Sequence, residues 1–290
     1  MMDGAVCPVT AVVAVVGIGG AAWAAAKSET KPTAARFAAV SALVFASQMM
    51  NFPVQGGTSG HLIGGVLASA LLGTPFGILS TALVLSVQCL LFSDGGLAVL
   101  GANILNMSLL GAGVGGLLAG GLQARPSALR IAAASWISVV LAAMACSAEL
   151  ALAGVIPFSQ SAPVMFGVHA LIGLGEALLA VAAVALLPAG EENARRSAAV
   201  PAFAALVIAL ILSPFASGLP DGLEWAAARL GFLHESAPAF VAPLAGYAVP
   251  GISIHALSTG LSGVAGVIAV FALGSAISRI WNRSAAMPVS

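Results

Sequence analysis

The sequence predicts an all-α, polytopic membrane protein of about nine helical segments, one of them short or re-entrant, and three observations carry the prediction. Of 290 residues, 60% are hydrophobic and only 7% are charged, against roughly 25% charged in soluble domains. Mean hydropathy is +1.08. Apolar runs close to the ~20 residues that a bilayer crossing needs recur along the chain, divided by glycine, proline and charge. Ten basic and ten acidic residues cancel, which leaves no basic surface for nucleic acid. Cys7, Cys89 and Cys146 are too few and too scattered for a disulfide framework. The opening MMDGAVCP carries an acid and no base ahead of the apolar stretch, unlike a secretory signal.

In chain order the runs are 9–26, 34–52, 62–72, 76–92, 97–122, 128–155, 164–187, 198–217 and 249–278. The third is short for a span. Its polar, glycine-rich lead-in suits a segment that starts inside a funnel rather than at the lipid surface. Bases cluster after the first, fifth, seventh and ninth runs: Lys27, Lys31 and Arg36, then Arg125 and Arg130, then Arg195 and Arg196, then Arg279 and Arg283. The positive-inside rule makes that side cytoplasmic, so the N-terminus is expected outside and the C-terminus in the cytoplasm. Arg229 is the exception. Dropping the short third run would send the later bases to the wrong side, so charge supports counting it.

The stretch NFPVQGGTSGHLIGG, residues 51–65, joins the second and third runs and sets His61 among glycines that allow close backbone approach. One reading is a re-entrant loop that offers an imidazole to a ligand; the other is a surface turn with a solvated histidine. Asn51, Ser59, Asn103, Asn106 and His169 fall in the outer half, with Asn103, Asn106 and His169 about 9–14 Å below the surface at 1.5 Å per residue. Asn103 and Asn106 are three apart, as are Gln48 and Asn51, so each pair is expected on one helix face. Polar groups in hydrocarbon face a cavity or one another, and together these suggest a pocket roofed by the His61 loop. Interhelical hydrogen bonding is the plain alternative for each asparagine taken singly.

Glu176 follows His169 by seven residues on the same face, and Glu149 lies near the outer end of the sixth run. A His169–Glu176 pair would suit either a proton relay in a secondary transporter or a structural hydrogen bond. Gly60 with Gly64, Gly111 with Gly115 and Gly116 with Gly120 have small-xxx-small spacing, which brings helix backbones together inside the protein or against a partner. From residue 218 hydropathy falls. Asp221 with Glu224 forms a capping box for a short helix over 222–230 that Gly231 ends, with an apolar side of Leu223, Trp225 and Leu230. Helix capping is the ordinary use of those acids. His234 suits a solvated surface position, and His255 either lines the pocket or packs.

Three of these stretches carry a family resemblance. NFPVQGGTSGHLIGG, then FSDGGLAVLGANILNM (92–107), then GVHALIGLGEAL (167–178), resemble in order the CbiM/NikM family, the metal-specific substrate-binding component of energy-coupling factor transporters. The resemblance covers about 1–190 as a metal-binding membrane core. The remainder, 191–290, with PDGLEWAAARLGF and YAVPG, is similar to the PDGLE accessory component, found separate or fused. Such a protein imports Co²⁺ or Ni²⁺ across the bacterial cytoplasmic membrane, for cobalamin synthesis or nickel-enzyme maturation. It has no permanently bound cofactor and no enzymatic activity of its own. Its partners are a transmembrane coupling subunit (CbiQ/NikQ-like), ATPase subunits (CbiO/NikO-like) and membrane lipid.

The resemblance carries His61 over as the loop ligand. In the family the other donors are the terminal amine, the next backbone amide and a second-position histidine, a nitrogen set suited to Ni(II) or Co(II). Here the chain begins Met1-Met2-Asp3-Gly4 and has no such histidine. Aligned on Asp-Gly it runs two residues short of the family's Met-His start. Either two residues precede Met1, or Met1, Met2 or Cys7 supplies the missing donor; Asp3 stands beside the site. The residues alone also leave open an autonomous proton-coupled transporter using His169 and Glu176.

Overall fold

The computed structural model describes residues 5–120, 126–187, 194–233 and 240–284; Met1, Met2, Asp3, Arg125 and His234 lie outside them. Helices α1 (Val6–Lys27) and α2 (Ala34–Gln48) are followed by a hairpin of β1 (Phe52–Val54) and β2 (Thr58–Gly60), and then by α3 (Gly65–Leu72) and α4 (Thr74–Phe92). The next span runs from α5 (Leu100–Asn103) through a π-helical stretch (Ile104–Val114) into α6 (Gly115–Ala119), and α7 (Ala128–Leu152) and α8 (Phe158–Leu186) complete the first part. Helix α9 (Ala194–Val207) continues through π and 3-10 turns to Phe215, α10 (Gly222–Leu230) is short, and α11 (His255–Ser284) ends the described chain. Seven of these segments are long and apolar enough to cross a membrane, and α2 is a shorter apolar helix. The chain is a multi-pass, all-α membrane protein.

The stretch 61–72 runs alongside α2. Its path is fixed at both ends by α2. Gln48, at the end of α2, donates from Nε2 to the Ile63 carbonyl at 2.7 Å. Arg36, at the start of α2, donates to the Leu71 carbonyl at 2.9 Å through Nη2 and to Ser197 Oγ through Nη1 at 2.6 Å. Segments 61–72 and α2 therefore run antiparallel, and α3 is too short at ~12 Å to cross alone. Gly73 then turns the chain at φ 89°, a region closed to most side chains, and α4 returns against α3. A Cβ on Gly77 would sit on Ser69, which fixes how closely the two helices approach.

Seven of the eight residues of α3 are buried, and it packs with its backbone against the π-helical stretch. A Cβ on Gly65 would lie 2.6 Å from the Ala112 nitrogen, and Ser69 Oγ donates to the Ala112 carbonyl at 2.7 Å. Gly115 faces Val66 and Ser138, Gly116 faces Ser69, and Gly60 faces Ile172. Gly111, Gly115 and Gly116 thus sit where segments meet within this chain, whereas Gly60 lies in β2, Gly64 precedes α3 and Gly120 ends α6, so the expected Gly60–Gly64 and Gly116–Gly120 helix faces do not form. Along α11, Gly266 meets Phe45 and Phe92, and Gly274 meets Ala38, so α11 runs antiparallel to α2. At the far end from Arg36, Tyr247 stacks on Phe92 with ring centroids 4.6 Å apart and donates to Asp94 at 2.6 Å. Burial, and then the Asp94 charge, hold the Tyr247 hydroxyl well above its ordinary pKa.

Candidate metal centre

The hairpin exists because Gly56 and Gly57, at φ 95° and 81°, make the turn between β1 and β2. Phe52 pairs with Gly60, and the chain leaves β2 as an extended segment until Gly64, at φ 69°, starts α3. The second run therefore ends at Gln48, four residues before the expected limit, because Pro53 and the strand begin there. His61 is the first residue beyond β2 and is half-buried, with Nδ1 3.1 Å from the Leu62 carbonyl oxygen. An Nδ1–H donated there leaves the Nε2 lone pair for a metal.

Backbone inside a membrane protein must have partners, and two side chains supply them beyond His61. Glu176 accepts from the Ile63 amide at 2.5 Å and from the Gly64 amide at 2.8 Å, one on each carboxylate oxygen. Gln48 takes the Ile63 carbonyl. The Ile63 peptide groups and the Gly64 amide are thus gripped by α2 on one side and α8 on the other. Glu176 is 1% exposed. Its two oxygens serve the loop, while His169 Nδ1 lies 2.8 Å from the Met165 carbonyl in its own helix. Of the two uses weighed for Glu176, the structural hydrogen bond is the one the geometry displays, and it goes to the loop rather than to His169.

Residues 217–225 roof the loop. Ser217 donates its amide to the Asn51 carbonyl at 2.8 Å, and Ser59 donates its amide to the Pro220 carbonyl at 2.8 Å, with Ser59 bridged in parallel to Asp221. Ser59 Oγ donates to the Leu219 carbonyl at 2.7 Å and Thr58 Oγ1 to Pro220 at 3.0 Å. A single parallel bridge thus ties the C-terminal segment to β2. Helix α10 starts as expected: Asp221 accepts from the Leu223 and Glu224 amides at 2.8 Å each, Glu224 accepts from the Asp221 amide, and Gly231 closes the end at φ 76°. Burial first, and then Asp221, raise the Glu224 carboxyl above its ordinary pKa. Trp225 Nε1 reaches the Gly56 carbonyl at 3.0 Å. Gly222 lies so close to His169 that a Cβ would fall 2.9 Å from Cε1.

The structure thus brings His61, Asn51, Ser59 and His169 under one roof. It separates the two asparagines expected on a common face. Asn103 ends α5 with its amide against Gly95, whereas Asn106 donates to Glu149 at 2.8 Å. The reason is the π-helical turn that begins at Ile104: more residues per turn rotate a position three further on away from its partner. His255, at the start of α11, is exposed and lines nothing. Among the described residues no three His, Cys, Asp and Glu side chains gather as a metal-holding group. Gln48 is the residue that sequence reasoning underused; its one signal was a polar amide at the end of an apolar run.

A family model described as "Cobalt uptake substrate-specific transmembrane region" matches residues 1–194, and a PDGLE domain model matches 195–283. The chain is 35% identical over 254 residues to the proposed fused nickel transport protein NikMN of Archaeoglobus fulgidus, covering 84% of this chain and 85% of that one. It is 28% identical over 244 residues to the fused nickel transport protein NikMN of Rhodobacter capsulatus, covering 73% and 70%. Among solved structures, a truncated transition metal transporter aligns with a TM-score of 0.56 at 28% identity, covering 63% of this chain and 94% of that one.

Proposed function

Since the chain belongs to the CbiM family of nickel and cobalt transport proteins, with a PDGLE domain joined to its C-terminal side, we propose that it is the substrate-specificity subunit of an energy-coupling factor transporter importing Co²⁺ or Ni²⁺. A membrane-embedded coupling subunit and separate ATPase subunits supply the energy. His61 is the loop ligand for the ion, with further donors from the N-terminal residues Met1 and Met2. Asp3, Asn51, Ser59 and His169 surround the site, whereas Asn103 turns to Gly95 and Asn106 to Glu149.

The observation that carries this reading is the grip on the loop beyond His61. A solvated surface turn has no need of a buried carboxylate and a buried amide on consecutive peptide groups, nor of a segment laid over it. Bonds at Ser59 before His61 and at Ile63 and Gly64 after it hold the backbone on both sides of the imidazole, and a preorganised ligand lowers the ordering cost of binding. That no three metal-capable side chains gather among the described residues fits a site that draws on nitrogen or sulfur from the N-terminal residues. Helix α1 supports that route: Val6 and Cys7 pack against the wall formed by Ala102, Leu150 and Ala227.

His61→Ala should abolish metal accumulation in cells that also hold the coupling and ATPase subunits, while membrane insertion and assembly stay normal. Unchanged accumulation removes His61 from the site. Accumulation by the chain alone, insensitive to ATP depletion and collapsed by dissipating the proton gradient, would instead favour a proton-coupled carrier.

A further inference from the structure

Away from His61 a second polar pair lies buried between the π-helical stretch and α7. Asn106 is 7% exposed and Glu149 5% exposed. Asn106 Nδ2 donates to Glu149 Oε2 at 2.8 Å, while Asn106 Oδ1 and Glu149 Oε1 have no hydrogen-bond partner among the described residues. Turning the amide over would set its oxygen against Glu149 Oε2, so as oriented it leaves Asn106 Oδ1 and Glu149 Oε1 as two buried acceptors of one bonded pair. A buried carboxylate answered by a single neutral N–H is far from balanced, and such a group in a membrane interior takes up a cation or a proton.

We propose that Glu149 and Asn106 form a second, oxygen-based site for a divalent cation. A carboxylate oxygen and an amide carbonyl oxygen are hard donors, which suit six-coordinate cations that keep several waters. Its place in the fold links it to the first site. Cys146, one turn before Glu149, packs with Leu223 and Trp225 of α10, and Leu150 packs with Ala227 and with Val6 and Cys7 of α1. The pair therefore lies beneath the same short helix that holds the His61 hairpin through Trp225. It deepens the transport reading and rests on it: a weak, fast oxygen site collects the cation under the roof, and the nitrogen site selects it.

Mn²⁺ titration of the purified full chain, followed by electron paramagnetic resonance, tests the proposal. The wild-type chain should bind Mn²⁺, and His61→Ala should leave that binding within about twofold. Glu149→Gln should weaken it by about tenfold or more, because the isostere keeps the acceptor for Asn106 Nδ2 but removes the charge. Equal Mn²⁺ binding by Glu149→Gln and wild type, or no Mn²⁺ binding by wild type, overturns the site. Asn106→Asp provides a variant that does not depend on losing a group: a second carboxylate should tighten Mn²⁺ binding, and unchanged affinity there also overturns it. Ni²⁺ titration of His61→Ala is read separately, since retained Ni²⁺ binding refutes the His61 assignment and says nothing of Glu149.

Discussion

Helix α1 and the stretch 61–72 cross the same bundle by opposite means. Over 22 residues α1 satisfies its own backbone with regular helical hydrogen bonds, and only 22% of its apolar window is buried. The 61–72 stretch is helical for eight residues, nearly all of them buried, and borrows the partners of its extended part from Gln48 and Glu176. A self-sufficient span can face lipid and tolerate change. A borrowed span must sit inside the protein, and each lender becomes part of its structure.

The sharpest way to break that contrast is to remove a lender. Glu176→Ala strands the Ile63 and Gly64 amides in the interior, and loss of two charge-assisted hydrogen bonds should destabilise the protein by about 3 kcal/mol or more. Thermal unfolding in detergent measures it, and a change no larger than a lipid-facing substitution would mean that the loop finds other partners. Packing gives a middle-sized test with a built-in control. Gly65→Ala drives a Cβ into the backbone at Ala112, and overpacking there should cost about 1–3 kcal/mol. Gly20→Ala in α1 meets nothing within 4 Å and should be neutral or favourable by less than about 1 kcal/mol. Equal melting temperatures for the two would erase the distinction. The smallest effect is expected at the roof: Trp225→Phe removes one hydrogen bond to Gly56, about 1 kcal/mol, and should show as faster amide exchange across 56–60 with little change in global stability.

The same contrast explains what the sequence disclosed. Most span positions and the capping box at Asp221 follow from signals within a few residues; the second run stops short at Gln48 because the strand that follows it is set by pairing rather than by hydropathy. Glu176 was visible as a carboxylate in an apolar run, hence a group in need of a partner. Its partner was not visible, because a side chain bonded to backbone 112 residues earlier leaves no periodic trace. The bridge of segment 217–221 to Ser59 was hidden for a related reason: most of its bonds use main-chain groups that every sequence possesses. The parting of Asn103 from Asn106 depends on a π-helical stretch, which composition does not announce. His61 could be singled out by its glycine-rich setting, but the direction of its ring depends on contacts made two helices away.

The roof has a consequence for how the two family units are joined. Pro220 and Asp221 belong to the segment matched by the PDGLE model, and Ser59 to the segment matched by the cobalt-uptake model. Where those units exist as separate polypeptides, bringing this segment onto the hairpin would be a bimolecular event, diluted by the membrane and dependent on matched expression. Here one chain carries both, so the event becomes intramolecular, at an effective local concentration on the order of millimolar for a short connection. Fusion thus exempts the roof from stoichiometry: each loop arrives with its own cover, and titrating in a second gene product cannot make it more or less occupied.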